Sequence, residues 1–173
     1  VRTVELLCSA ELDTAVRSAW GRLGAAGLPS LARNIHPTNR PHLTLAAVDD
    51  FPPGAVARLA ALLDEALPLP ARLGDVTVLE GSAPLVWLVE PGARLVELHR
   101  AVWQVLADGR GCGPWHDPDR WTPHLSLGLR FRDADRTLAR AVVGAAPAGS
   151  FVAARSYDSA GRSVRHLAGS RLL

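Results

Sequence analysis

The sequence predicts one domain that mixes helices with antiparallel strands and is built from two similar lobes. Apolar residues recur at helical spacing in four stretches and alternate with period two in several others. Two strand-turn-strand units, centred on Gly81 and Gly161, read as antiparallel pairs. The order helix, histidine-bearing strand, helix, strand pair occurs twice. His42 maps onto His124 and Gly81 onto Gly161, an offset of about 80 residues. A unit seen twice falls short of the three or so repeats a solenoid needs. It fits a pseudo-two-fold pair of lobes, with repeats over about 1–91 and 92–173 of a single domain covering 1–173.

The elements follow in order. Val1 to Cys8 alternates and reads as a strand. Leu12, Ala15, Val16, Ala19, Trp20 and Leu23 then share one helical stripe, with Ser9 placed to cap it and Gly27-Leu28-Pro29 to end it. Leu31 to Asn39 is a loop carrying Arg33, Asn34 and His36. Pro41 to Val48 is the first histidine strand. Pro52-Pro53-Gly54 leads into a helix over Ala55–Leu67, which Pro68 and Pro70 stop. Arg72–Glu80 and Pro84–Glu90 form a strand pair. Leu95, Leu98, Val102, Trp103 and Leu106 mark a helix over Ala93–Ala107. Residues 108–119 are rich in Gly and Pro and read as a loop. The second histidine strand, Thr122–Leu129, follows. A helix over Ala134–Val143 and strands over Phe151–Tyr157 and Ser163–Ala168 complete the chain.

Composition narrows the function classes. All 19 basic residues are Arg, and the net charge is +2. That balance is too small for wrapping long nucleic acid, but it suits a local anion site. No apolar run reaches the length of a membrane span, and no basic segment followed by an apolar one opens the chain. Cys8 and Cys112 are isolated, which reads as two reduced thiols in a cytoplasmic protein. No His or Cys pair has metal-ligand spacing, so neither a metal nor a cofactor is expected.

The chemistry concentrates in two short copies of one pattern. Pro41-His42-Leu43-Thr44-Leu45 is echoed by Pro123-His124-Leu125-Ser126-Leu127. On a strand, residues i and i+2 share a face. His42 and Thr44 therefore point together, as do His124 and Ser126, while the leucines turn to the core. Two imidazoles on one substrate can divide the work of base and acid near neutral pH. Two hydroxyls beside them can donate to the non-bridging oxygens of a phosphate. Trp121 and Trp115 are candidates for stacking a base. Arg130, Arg155 and Arg165 are candidates for a phosphate. His36 and His116 sit in loops that could reach the same site. His99 lies in a helix, where it is either structural or exposed, and Trp87 in a strand, where packing is the expected role.

These paired motifs resemble those of the two-histidine (2H) phosphoesterase superfamily. The chain looks most like its bacterial 2′-5′ RNA ligase and RNA 2′,3′-cyclic phosphodiesterase branch. Val4-Glu5-Leu6-Leu7, Ala25-Ala26-Gly27-Leu28-Pro29-Ser30 and Leu85-Val86-Trp87-Leu88 add to the likeness. The resemblance implies an α+β, bilobal fold, with a V-shaped groove between two antiparallel sheets and helices packed outside. It implies His42 and His124 as catalytic residues, with His124 as base and His42 as acid in hydrolysis, and Thr44 and Ser126 as phosphate ligands. Where relatives often carry Tyr in the final strand, this chain has Val164.

The expected function is metal-independent hydrolysis of 2′,3′-cyclic phosphates at RNA or nucleotide ends, with 2′-5′ ligation as its reverse. The expected partner is therefore an RNA end or a small cyclic nucleotide, with no membrane and no obligate protein partner. Two alternatives stand beside it. One is hydrolysis of another small cyclic phosphate, such as that of ADP-ribose. The other is a phosphate- or RNA-binding module without turnover.

Overall fold

Alternation and amphipathic stripes build the elements where the sequence places them. The computed structural model describes residues 1–109 and 111–170, without the Asp133 side chain. Arg110, inside the stretch read as a loop, lies outside the described residues. Strands are β1 (Arg2–Cys8), β2 (His42–Val48), β3 (Leu69–Ala71), β4 (Leu73–Val78), β5 (Leu85–Val89), β6 (His124–Gly128), β7 (Gly149–Asp158) and β8 (Ser163–Gly169). Helices are α1 (Ala10–Ala25), α2 (Ala55–Ala66), α3 (Ala93–Leu106) and α4 (Arg136–Val143). Ser9 caps α1 by accepting from the Leu12 N–H at 3.5 Å.

The strands form two antiparallel sheets. The larger has five strands, in the order β2-β1-β7, with β3 and β8 both pairing with the far edge of β7. The smaller is β4-β5-β6. Each sheet takes strands from both sequence repeats, because β7 and β8 join β1 and β2 while β6 joins β4 and β5. The helices cross over as well. Helices α2 and α3 pack on each other and against β8 and β2 of the larger sheet; α1 and α4 pack on each other, α4 against β4 of the smaller sheet and α1 against β6 of the smaller and β1 and β7 of the larger. The exchange ties the two halves into one core. No helix among the described residues is long and apolar enough to cross a membrane.

Strand β3 departs from expectation, since Pro68 and Pro70 read only as a stop. It is three residues long and pairs with one end of β7, with Pro70 opposite Ser150. An edge position tolerates a residue with no N–H to give.

The core fixes which way the histidine strands face. Leu43, Leu45, Leu125 and Leu127 are fully buried. Exposing one such side chain costs about 1.5–3 kcal/mol. A one-residue slip of either strand would expose both its leucines and bury its imidazole and hydroxyl. His42, Thr44, His124 and Ser126 are thereby held half-exposed on the opposite faces.

Candidate active site

The motifs begin with their prolines. Pro41 and Pro123 are buried and hold the residues before them to extended backbone. The carbonyls of Arg40 and Thr122 each accept from the following histidine: His42 Nδ1 donates to Arg40 O at 2.6 Å, and His124 Nδ1 to Thr122 O at 2.7 Å. A carbonyl can only accept, so both Nδ1 atoms carry hydrogen. In each neutral ring, Nε2 is then the nitrogen with a free lone pair.

The hydroxyl strands are pinned by a second matched pair. Trp121 Nε1 donates to Thr44 O and Trp20 Nε1 to Ser126 O, both at 3.0 Å. Trp20 reaches across from α1, whereas Trp121 comes from the segment just before β6. Trp121 is also stacked on His99 of α3, with centroids 3.8 Å apart and planes 2° from parallel. His99 is buried, which pushes its imidazole down to about 4. Trp87 is buried, as its packing role requires.

Strands β2 and β6 pack against each other where the two sheets meet. The imidazoles are close enough to feel each other's charge. Burial holds the His124 value below that of an ordinary imidazole, and the charge on His42 lowers it further. His116 is lowered too, by burial and then by the charge of His124.

A pocket of about 540 Å³ opens beside β6. Thr44 and His124 line it, together with His116, Trp115, Arg120 and Trp121. His42 and Ser126 are not in its wall. Trp115 is 60% exposed, and the Arg120 guanidinium lies 5.0 Å from its ring centroid. The aromatic side chains expected to meet a base are thus brought to the same pocket as His124. Glu80 and Ser82, from the turn between β4 and β5, also line it.

The other candidates separate. Arg130 is exposed just after β6, and its N–H donates to Ser82 O at 3.1 Å. His36 is held within its own loop, its Nδ1 2.8 Å from Thr38 Oγ1. Arg165 pairs with Ser156, which pairs with the buried Val4, so it takes the opposite face of the sheet from His42. It lines a smaller pocket of about 210 Å³ with Arg2, Phe51 and Asp158. Val164 lies opposite Tyr157. Arg155 does share the His42 face. It pairs with Glu5, and Glu5 pairs with Thr44.

Sequence reasoning gave Arg120 and Glu5 no role of their own. Arg120 lies three residues before the second motif, but nothing in its spacing marks it as a pocket residue. Glu5 reads as one polar residue in a strand of mixed pattern. In the fold it is buried, with Arg155 Nε donating to Oε2 at 2.7 Å and Thr3 Oγ1 to Oε1 at 2.6 Å. Burial alone would raise its carboxyl. The charges of His42 and Arg155 and these hydrogen bonds outweigh that and hold it below the usual carboxylate range. Among the described residues, no three His, Cys, Asp or Glu side chains gather as a metal site.

Two half-exposed imidazoles with oriented Nε2 atoms, each followed by a hydroxyl, match the pattern of the two-histidine phosphoesterases. The model of the 2′-5′ RNA ligase superfamily matches residues 11–156, and the chain belongs to that superfamily. Its fold is shared with E. coli LigT in apo form, at 16% identity and a TM-score of 0.59, over 99% of this chain and 95% of LigT. E. coli LigT complexed with NADP+ gives 17% and 0.58, over 95% and 91%. A crystal structure described as a phosphoesterase gives 18% and 0.51, over 98% and 94%. No curated protein sequence matches the chain.

Proposed function

We propose that the protein is a metal-independent phosphodiesterase that opens 2′,3′-cyclic phosphates at RNA or nucleotide ends, with 2′-5′ ligation as the reverse reaction. The observation that carries this reading is the matched commitment of both Nδ1 atoms to carbonyls. It leaves two Nε2 atoms for proton transfer and needs no metal to activate water. His124 Nε2 takes a proton from water as the water oxygen attacks phosphorus. The bond from phosphorus to one ribose oxygen breaks, and that oxygen takes the proton from His42 Nε2. Thr44 and Ser126 hydroxyls donate to the non-bridging oxygens as charge builds on them. His42 ends neutral and His124 protonated, and exchange with solvent resets the pair.

A nucleotide substrate is supported by Trp115 and Trp121 beside His124, where they can take a base while Arg120 meets a phosphate. E. coli LigT has been crystallised with ATP and with 3′-AMP, which makes nucleotides the first class to try. The test is turnover of the four 2′,3′-cyclic nucleotides and of RNA ending in a cyclic phosphate, with and without EDTA. Phosphomonoester release unaffected by the chelator is expected. Binding without turnover, or activity only after metal is restored, would overturn the reading.

A further inference from the structure

The two motifs are nearly symmetric, yet acid-base catalysis needs them to differ. Both Nδ1 atoms donate to carbonyls, both hydroxyl residues have their carbonyls capped by an indole, and both rings are half-exposed. What differs is the surroundings of Nε2. Glu5 Oε1 lies 3.7 Å from His42 Nε2. No such carboxylate pairs with His124 among the described residues. The titratable groups that bear on His124 are His42 and His116.

Regular pairing brings Glu5 there: Leu7 of β1 pairs with His42 of β2, Leu6 with Leu43 and Glu5 with Thr44. The carboxylate therefore shares the face of His42 and Thr44, directly opposite Thr44 and diagonal to His42. Beyond it Val4 pairs with Ala46, so Leu45 is skipped and the register shifts at that point.

We propose that Glu5 is a positioning residue that divides the labour between the histidines: its carboxylate keeps the proton on His42, leaving His42 as acid and His124 as base. This rests on the cyclic phosphodiesterase reading. The lone pairs of the ring decide this. With Nδ1–H committed to Arg40, a neutral His42 turns a lone pair toward a carboxylate, which repels. Protonated, it turns an N–H toward it, which attracts. For His124 the same choice runs the other way, because its neighbours are imidazoles. The separation of 3.7 Å exceeds hydrogen-bond length, so the carboxylate favours the proton without locking it. The charged groups around His42 are Glu5 on β1, Arg155 on β7 behind it, His124 on β6, and Arg40, whose guanidinium lies 3.7 Å from Asp13.

Stability alone does not account for the Glu5–Arg155 pair. Replacing a buried ion pair by apolar residues of similar volume is often neutral or stabilising. Here the pair lies under the site, and its carboxylate has one oxygen turned toward the catalytic ring.

The test is Glu5→Gln, which keeps the shape and removes the charge. The alkaline limb of kcat/KM reports the acid losing its proton. It should move down by about one pH unit, the lower end of the effect of an opposite charge at this distance. Activity above that limb should fall about tenfold, while activity at its acidic end barely changes. Arg155→Gln removes the competing cation and keeps the carboxylate, so the same limb should move up. In the substrate-free protein, ¹⁵N NMR of His42 Nε2 should show the same opposite displacements relative to wild type. An equal loss at every pH with unmoved limbs and unmoved His42 signals would make Glu5 a structural residue and overturn the proposal. If Glu5→Gln fails to fold, Arg155→Gln decides, and absence of its upward displacement overturns. If the wild type turns over no cyclic phosphate, the proposed function fails by itself, and the NMR displacements alone decide on Glu5.

Discussion

At the scale of the residue, the two histidines are alike in sequence and unlike in surroundings. His124 is pushed below the ordinary imidazole value by burial and then by the charge on His42. In the proposed reaction His124 is the base and must be neutral, and a lowered value keeps it neutral further into acid. The acidic limb of kcat/KM should therefore lie below about pH 6.5, the unperturbed position. In His42→Gln, NMR of His124 should show its titration rising toward the ordinary value, because one source of the depression is gone. An unchanged titration would mean that the rings do not share a site. His42→Ala and His124→Ala should each cost on the order of 10²- to 10⁴-fold in kcat/KM on a 2′,3′-cyclic nucleotide, the range of a lost general acid or base. Thr44→Val and Ser126→Ala should each cost roughly 10²-fold in kcat, the scale of a lost oxyanion donor. Full activity in both hydroxyl variants would reduce these residues to strand formers. All four side chains were legible because alternation alone decides their facing. Glu5 was not, since its place beside His42 depends on which residues of β1 and β2 pair, and one-dimensional spacing carries no register between strands.

At the scale of the element, the strand carrying His124 and Ser126 is fixed at both ends. Pro123 O accepts from Val89 N–H at 2.9 Å at its start. At its end, Gly128 passes so close to the loop after α1 that an added Cβ would lie 2.4 Å from Pro29 O and 2.6 Å from the Phe131 ring. The Pro29 contact is backbone and cannot rotate away, so Gly128→Ala should destabilise the protein by about 1–3 kcal/mol, the usual cost of overpacking. Urea unfolding would measure it, and an unchanged midpoint would mean the loop yields freely. Elements of strong period were readable to within a residue or two, as with α3, expected over Ala93–Ala107 and observed over Ala93–Leu106. Strand β3 was not, because a Pro-flanked tripeptide has no period to read and forms only where β7 offers it an edge.

At the scale of the whole molecule, the packing of helices on the sheets decides what each buried face meets. His99 on α3 is the clearest case. Helical spacing sets it on the stripe of Leu95, Leu98 and Val102 but names no partner; the packing of α3 behind β2 stacks it on Trp121, whose indole holds the Thr44 carbonyl. The ring that supports the site is therefore also a pH-sensitive part of the fold. In the unfolded chain, His99 takes a proton near 6.5; in the folded protein burial delays this to about 4. Between those values the unfolded state binds more protons, so stability falls as pH falls. The stabilising difference is fully present above about pH 6.5 and is lost progressively toward pH 4, by about 3 kcal/mol from this group. His116 and His124 are shifted in the same direction and add to the slope. His99→Phe keeps an aromatic ring against Trp121 and removes the titration. The measurement is unfolding free energy by urea at intervals from pH 7.5 to 4, for wild type and His99→Phe. The variant should lose a large part of the wild-type pH slope while matching or exceeding its stability at pH 4, and parallel curves would show that His99 titrates freely in the folded protein.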